Sequence, residues 1–160
     1  MNTGFTAKRI TRSYRQTINA TPGVVFPLLC PVREAEWLDG WKYEMIHSES
    51  GLAEEGCIFN TPGSGEEDTV WIISKYDKVN HFIEFIRFTP GSRTCVLDIS
   101  VTARGETGSN VDISYTYTGT SAAGNTWIDN FTEDAFLEAV KFWERSMNHF
   151  LEMGKKLQHK

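Results

Sequence analysis

The stretch Thr69–Thr118 decides the fold, and it reads TVWIISKYDKVNHFIEFIRFTPGSRTCVLDISVTARGETGSNVDISYTYT. It contains four segments in which apolar and polar residues alternate, and these segments are rich in β-branched and aromatic side chains. The connections at 77–80, 89–92 and 104–109 are rich in residues that favour turns. The pattern predicts four consecutive antiparallel strands joined by hairpins.

Three further strands and two short helices are predicted before this stretch. Thr21-Pro22 supplies an N-cap and a proline for the first helical position, and Pro31 ends that helix. The predicted elements are, in order, a strand at 8–19, a helix from about 21 to 30, a helical turn at 34–38, and strands near 43–49 and 57–61.

A long amphipathic helix, Asn130–Gln158, is predicted to close the chain, after a loop at Ser121–Asn125. Its core face follows the helical spacing of i, i+4 and i+7, and comprises Phe136, Val140, Trp143, Met147, Phe150, Leu151 and Gly154. A single helix on a curved sheet cannot fill the space that the sheet encloses. The order of elements therefore predicts an α+β fold with an internal cavity.

Composition limits the classes of function. The 160 residues suit one domain, 1–160, and a net charge of −5 offers no broad basic surface for nucleic acid. No apolar run approaches the roughly 20 residues that span a bilayer. The N-terminus lacks the apolar segment of a signal peptide. These features predict a cytoplasmic protein that is not an integral membrane protein.

The cysteines and histidines show no metal or redox motif. Cys30, Cys57 and Cys95 are odd in number and lack CxxC spacing, which indicates reduced, mostly buried thiols. The four histidines show no HExxH or HxH spacing, and neither a GxSxG motif nor a P-loop is present. We therefore expect no metal ion and no cofactor.

The hairpin turns set which side chains point inward. Pairing across 104–109 places Leu97 and Ile99 on one face with Tyr115 and Tyr117, and Asp98 and its polar neighbours on the solvent face. Carrying this register backwards puts no acidic residue on the inner face. The predicted ligand-binding residues are Phe59, Trp71, Ile73, Phe85, Arg87, Leu97, Ile99, Tyr115 and Tyr117 of the sheet, with Phe136, Val140 and Trp143 of the helix.

Arg87 is the unusual member of this set. In an up-and-down sheet the loops 62–68, 89–92 and 119–125 share one end, so Trp71 and Arg87 are predicted at a cavity mouth there. A guanidinium in an apolar cavity is costly unless it is paired or solvated, which makes Arg87 a candidate to bind a ligand carboxylate, with Trp71 stacked on it. The alternatives are that Arg87 reaches water at the rim, or pairs with an acid of the loop 62–68.

The order of elements resembles that of the START-like (SRPBCC) superfamily, whose helix-grip fold occurs in polyketide-cyclase-like and lipid-transfer proteins. The resemblance covers nearly the whole chain and rests on Ala20-Thr21-Pro22 with Val25-Phe26, Val70-Trp71 leading to Tyr76-Asp77, the turn Thr89–Arg93, the strand Tyr115–Thr118, and Gly124-Asn125. These are features of a fold and not a catalytic signature.

Three functions are compatible with this resemblance. The first is binding or carriage of a small hydrophobic or amphipathic molecule, lipid-like or polycyclic, without catalysis. The second is a polyketide cyclase, aromatase or dehydratase, in which Tyr115, Tyr117 and Arg87 would polarise a carbonyl group. The third is a chaperone-activator-like interaction module, which needs an exposed apolar patch that includes Phe131 and Phe142. The same two residues could instead pack against the strand ends or form a homodimer contact.

Overall fold

A seven-stranded antiparallel sheet and a long C-terminal helix form the protein. The computed structural model describes residues 4–159. Its elements are β1 (Arg9–Ile18), α1 (Pro22–Val25), a 3-10 turn (Phe26–Leu29), α2 (Pro31–Trp37), β2 (Glu44–His47), β3 (Ile58–Thr61), β4 (Thr69–Asp77), β5 (Phe82–Thr89), β6 (Arg93–Arg104), β7 (Gly108–Gly119), α3 (Ala122–Asn130) and α4 (Glu133–Met153). The sheet order β1-β7-β6-β5-β4-β3-β2 confirms the predicted helix-grip arrangement.

The strand register agrees with the prediction from the hairpin turns. Phe85 pairs with Leu97, Trp71 pairs with Arg87, and Leu97 pairs with Tyr115. The inward side chains of β6 and β7 form the core, because the alternation of period two leaves their neighbours to solvent. On the opposite face, cross-strand hydrogen bonds join polar pairs such as Thr11–Thr116 and Ser13–Ser114.

The C-terminal region contains two helices where the sequence predicted one. The predicted loop Ser121–Asn125 is wrong, since Ser121 caps α3 by accepting a hydrogen bond from the Gly124 amide at 3.1 Å. The chain then breaks at Phe131, and the Thr132 hydroxyl caps α4. Helix α4 ends at Met153, earlier than predicted, because Gly154 adopts the left-handed conformation with φ of 73°.

Gly124 allows α3 to lie directly on the turn between β5 and β6. A Cβ atom at this position would stand 1.6 Å from the backbone oxygen of Ser92. The amide of Thr120 also donates to the Ser92 oxygen, at 2.7 Å. A glycine in the first turn of α3 is therefore a packing requirement, although in the sequence it looks like a loop residue.

Helix α4 packs along the concave face of the sheet, and its contacts with β1 include buried polar groups. The Gln16 side-chain amide donates to the Val140 carbonyl oxygen at 2.9 Å, and Tyr14 donates to Glu144 at 2.9 Å. These bonds hold α4 against the sheet and position its inward side chains. Within residues 4–159, no helix has both the length and the apolarity needed to cross a membrane.

Candidate functional site

A small cavity of about 80 Å³ lies between the sheet, α2 and α4; we call it the interior cavity. Helix α4 contributes Trp143, and the sheet contributes four apolar or aromatic side chains and one tyrosine. The lining residues are Glu34, Leu38, Trp41, Trp71, Phe85, Leu97, Ile99, Tyr115 and Trp143. Aromatic rings form most of this wall.

A second space of about 310 Å³, which we call the outer pocket, adjoins the interior cavity. Its other lining residues are Asp39, Gly40, Ala139, Val140 and Phe142. Four residues line both spaces, namely Leu38, Trp41, Tyr115 and Trp143. The interior cavity therefore opens between the α2–β2 connection and α4.

This opening is not at the end of the sheet where the sequence placed the mouth. The loops 62–68, 89–92 and 119–125 do meet, but α3 covers them. The guanidinium of Arg93 lies 3.6 Å from the ring centre of Trp127 and pairs with Glu66 at 3.0 Å. The sequence predicted a loop at the start of α3, and it therefore did not predict that a helix covers this end of the sheet.

Trp71 is the centre of the aromatic wall and is held on several sides. Its ring stacks on Phe59 at 5.1 Å between centres, and meets Trp41 and Phe85 edge-on at 5.8 and 5.6 Å. Its indole N–H donates to the Thr61 hydroxyl at 2.9 Å. These contacts fix the orientation of the ring beside the interior cavity.

Arg87 stacks on Trp71, as predicted, but it is buried behind that ring and not at a rim. Its guanidinium carbon lies 4.4 Å from the Trp71 ring centre, and it donates to the Tyr117 hydroxyl at 3.3 Å. Arg87 is only half-buried as a residue, yet its Nε is fully buried without a hydrogen-bond partner. The crevice between Arg87 and Tyr117 has no room for water.

The predicted pairing of Arg87 with the 62–68 loop does not occur. Glu66 pairs with Arg93, and Asp68 accepts hydrogen bonds from Asn60 and the Gly63 amide. In the described chain, no carboxylate lies within 4.0 Å of Arg87. Its charge is balanced only by more distant groups and by the face of Trp71.

The sheet contributes no acidic residue to the cavity wall, as expected from its register, but helix α2 contributes Glu34. Burial raises the pKa of Glu34 from 4.5 to about 8, although the positive charge of Arg87 acts in the opposite direction. Glu34 is therefore largely protonated at neutral pH and can donate a hydrogen bond.

Three polar groups of the cavity wall have no hydrogen-bond partner among residues 4–159. They are the Glu34 carboxyl, the Tyr115 hydroxyl and the buried indole N–H of Trp143. Burial raises the pKa of Tyr115 above its ordinary value, so its hydroxyl keeps its proton. Each group can donate a hydrogen bond; the Trp143 indole N–H is fully buried, and a buried donor without an acceptor is costly, whereas Glu34 and Tyr115 are half-buried.

Six of the predicted binding residues line the interior cavity, namely Trp71, Phe85, Leu97, Ile99, Tyr115 and Trp143. Val140 lines the outer pocket. The other five line neither space: Phe59, Ile73 and Phe136 are buried in the core, and Arg87 and Tyr117 lie at the separate crevice described above. Glu34, Leu38 and Trp41 were not predicted to line the cavity; only Glu34 lies within α2, which ends at Trp37, so helical spacing does not relate the three.

The thiols confirm the expectation of reduced, buried cysteines. Cys30, Cys57 and Cys95 are all free and buried. Burial raises the pKa of Cys95 to about 11, so its thiol stays protonated and unreactive at neutral pH. Among residues 4–159, no group of three or more His, Cys, Asp or Glu side chains is arranged to hold a metal ion.

Comparison with known proteins identifies similar folds only. No protein-family model and no curated protein matches the chain. Truncated norcoclaurine synthase from Thalictrum flavum superposes with a TM-score of 0.67 at 14% identity, covering 100% of both chains. SA2116 of Staphylococcus aureus, of unknown function, gives 0.67 at 11% identity over 92% of this chain and 96% of that one. Ara h 8.0201 gives 0.65 at 12% identity, over 91% and 99%.

Proposed function

We propose that this chain, which has the helix-grip fold of START-like (SRPBCC) domains, binds a small amphipathic molecule in its interior cavity and outer pocket. The observation that carries the proposal is the buried, unpaired indole N–H of Trp143, with the Glu34 carboxyl and the Tyr115 hydroxyl beside it in an otherwise apolar wall. An apolar ligand would leave these donors unpaired. A ligand with oxygen acceptors on an apolar body would satisfy them.

The volumes narrow the class of ligand. An engineered apolar cavity of about 150 Å³ holds benzene, so the interior cavity, at about 80 Å³, is too small for a ring. The outer pocket, at about 310 Å³, has room for one. We therefore infer a single-ring compound whose ring lies in the outer pocket and whose oxygen atoms enter the interior cavity. This is narrower than the lipid-like or polycyclic class expected from the sequence.

Native mass spectrometry of freshly purified protein tests for a copurifying molecule. Thermal unfolding with single-ring aromatic acids, alcohols and ketones then measures binding, because a ligand that binds only the folded state raises the melting temperature. We expect compounds with an oxygen acceptor to stabilise the protein more than toluene does. If the whole panel leaves the melting temperature unchanged and no molecule copurifies, the proposal is wrong.

Replacing Trp143 by phenylalanine tests the role of the unpaired indole N–H. Trp143→Phe keeps an aromatic ring but removes the donor, and a lost hydrogen bond of about 1 kcal/mol weakens binding about fivefold. Titration of the best compound, followed by calorimetry, measures this change. Trp127→Phe is the matched control, because Trp127 lies in α3 and lines neither space. Equal affinities in the two variants would contradict the proposed contact.

A second candidate function, catalysis as in the polyketide cyclases, aromatases or dehydratases, is favoured by Glu34. A carboxyl group with a pKa of about 8 exchanges a proton readily near neutral pH, and Tyr115 lines the same cavity. Turnover of a ketone substrate that disappears in Glu34→Gln while binding persists would support an enzyme. Loss of binding together with turnover would assign Glu34 to recognition only.

The interaction-module alternative requires an exposed apolar patch that includes Phe131 and Phe142, and the packing of these two rings argues against it. Phe131 packs against Tyr117 and Trp127, with ring centres 5.2 and 4.9 Å apart. Phe142 lies 4.5 Å from the His159 ring. Both rings are half-buried and neither is among the largely exposed apolar side chains, which argues against the exposed apolar patch that this function requires.

A further inference from the structure

A separate groove of about 410 Å³ lies at the opposite end of the sheet from α3, and it shares no lining residue with the interior cavity. It runs between the helical segment 23–33, the loop at 50–53 and the β4–β5 turn. Its lining residues are Gly23, Phe26, Pro27, Cys30, Arg33, Ser50, Leu52, Ala53, Tyr76, Lys78 and His81. We call it the peripheral groove.

The floor of the peripheral groove is apolar. Phe26, Cys30 and Ala53 are buried, and the Phe26 ring lies 5.4 Å from the Tyr76 ring. Leu52 is 48% exposed, so half of a large apolar side chain meets solvent beside this floor. Pockets that hold small molecules have this composition, an apolar floor with a few polar groups at the rim, and volumes of about 300–1,000 Å³.

The rim of the groove is basic. The lining residues from the described chain include Arg33, Lys78 and His81, and none is acidic, although the whole chain carries a net charge of −5. Within residues 4–159, Lys78 and His81 have no ion-pair partner within 4.0 Å. Arg33 pairs with Glu36. The groove therefore concentrates positive charge above an apolar floor.

Asp77 of the β4–β5 turn does not line the groove, although its carboxylate interacts electrostatically with His81. Asp77 accepts from the amides of Val79 and Asn80 at 3.0 Å, which fixes the β4–β5 turn. The turn places His81 in the left-handed conformation, with φ of 55°, and its ring 5.3 Å from that of Phe26. One basic group of the rim is thus already in place before any ligand binds.

We propose that the peripheral groove is a second binding site, for a small monocarboxylate with an alkyl body. The alkyl chain would lie on Phe26, Tyr76 and Leu52. The carboxylate would meet the Lys78 ammonium group, which has no ion-pair partner within residues 4–159, and would accept a hydrogen bond from the His81 imidazole. This site is independent of the function proposed for the interior cavity.

Octanoate is the probe, and octanol is its neutral analogue. Amide NMR of the labelled protein locates binding, because Leu52, Ala53 and Lys78 report on the groove while Ile99 and Tyr115 report on the interior cavity. We expect saturable shifts at the groove residues, with octanoate binding more tightly than octanol. Shifts confined to the interior residues, or none at millimolar octanoate, would overturn the proposal.

Two variants test the rim and the floor separately. Replacing both Lys78 and His81 by glutamine should weaken octanoate binding about five- to tenfold and leave octanol unaffected, since one exposed charge pair and one hydrogen bond each contribute modestly. Leu52→Trp places a larger side chain beside the groove floor, and it should therefore prevent the binding of both octanoate and octanol. Lys75→Gln is the matched control for the charge, because Lys75 lies outside the groove. If the double variant binds octanoate like Lys75→Gln does, the assigned carboxylate contact is wrong.

Discussion

Glu34→Gln should stabilise the protein by about 2–4 kcal/mol at pH 8 and leave its stability at pH 4 nearly unchanged. The reason is the pKa of Glu34, which burial raises from 4.5 to about 8 in the folded state. Glutamine has nearly the same shape as the protonated carboxyl and never ionises. It therefore removes the cost that the wild-type side chain imposes as the pH rises.

The direction of the pH dependence follows from the two states. In the unfolded chain Glu34 loses its proton near its ordinary pKa, while in the folded chain it keeps the proton until about pH 8. Between these values the folded state binds more protons, so the free energy of unfolding falls with rising pH, by up to about 1.4 kcal/mol per pH unit. Above pH 8 this contribution is constant.

Urea unfolding between pH 4 and pH 9 measures this slope in both proteins. Glu36→Gln is the matched control, because Glu36 lies two residues further along α2 with an exposed side chain paired to Arg33. Losing that surface pair changes stability by at most about 1 kcal/mol. If Glu34→Gln keeps the wild-type pH slope, the Glu34 carboxyl is not enclosed as described.

Gly124→Ala should destabilise the protein by about 3 kcal/mol, the upper range for overpacking. The new Cβ would lie 1.6 Å from the Ser92 backbone oxygen, and backbone cannot move aside as a flexible side chain can. We expect α3 to shift away from the β5–β6 turn. The contact between Arg93 and Trp127 should weaken as a result.

Urea unfolding measures the loss, and hydrogen exchange of the α3 amides shows whether it is local. Gly23→Ala is the matched control, since a Cβ there meets nothing within 4 Å. Because Gly23 lies in α1, alanine should stabilise by about 0.4–1 kcal/mol. Equal stability of the two variants would show that α3 does not rest on the turn as closely as the structure indicates.

The sheet could be predicted because its determinants are local. Alternation of period two assigns each side chain to a face, and tight hairpin turns transfer that assignment from strand to strand. The Trp71–Arg87 pair lies two hairpins back from the one in which the register was first set, and the pairing is nevertheless correct. The stacking of their side chains followed from that register.

The parts that could not be predicted depend on how helices pack on the sheet. Glu34 reaches the cavity only because α2 lies across its opening, and no pattern within α2 indicates that placement. The Ser121–Asn125 segment resembles a loop because Gly124 has low helix propensity, whereas its role depends on Ser92, more than thirty residues away. The volume of the cavity likewise depends on how the helices pack on the sheet. The sequence therefore predicted an internal cavity but not its small volume.

The four residues shared by the interior cavity and the outer pocket have a consequence for kinetics. Leu38, Trp41, Tyr115 and Trp143 surround the passage between the two spaces. The oxygen-bearing end of the proposed ligand must pass between these side chains to enter or leave the interior cavity, and Trp41 is held by a hydrogen bond from its indole N–H to the Pro31 carbonyl oxygen at 2.9 Å. Residence time should therefore depend on the movement of one indole ring, and loosening Trp41 should speed both association and dissociation, while any change in affinity reports the contacts that Trp41 itself makes with the ligand.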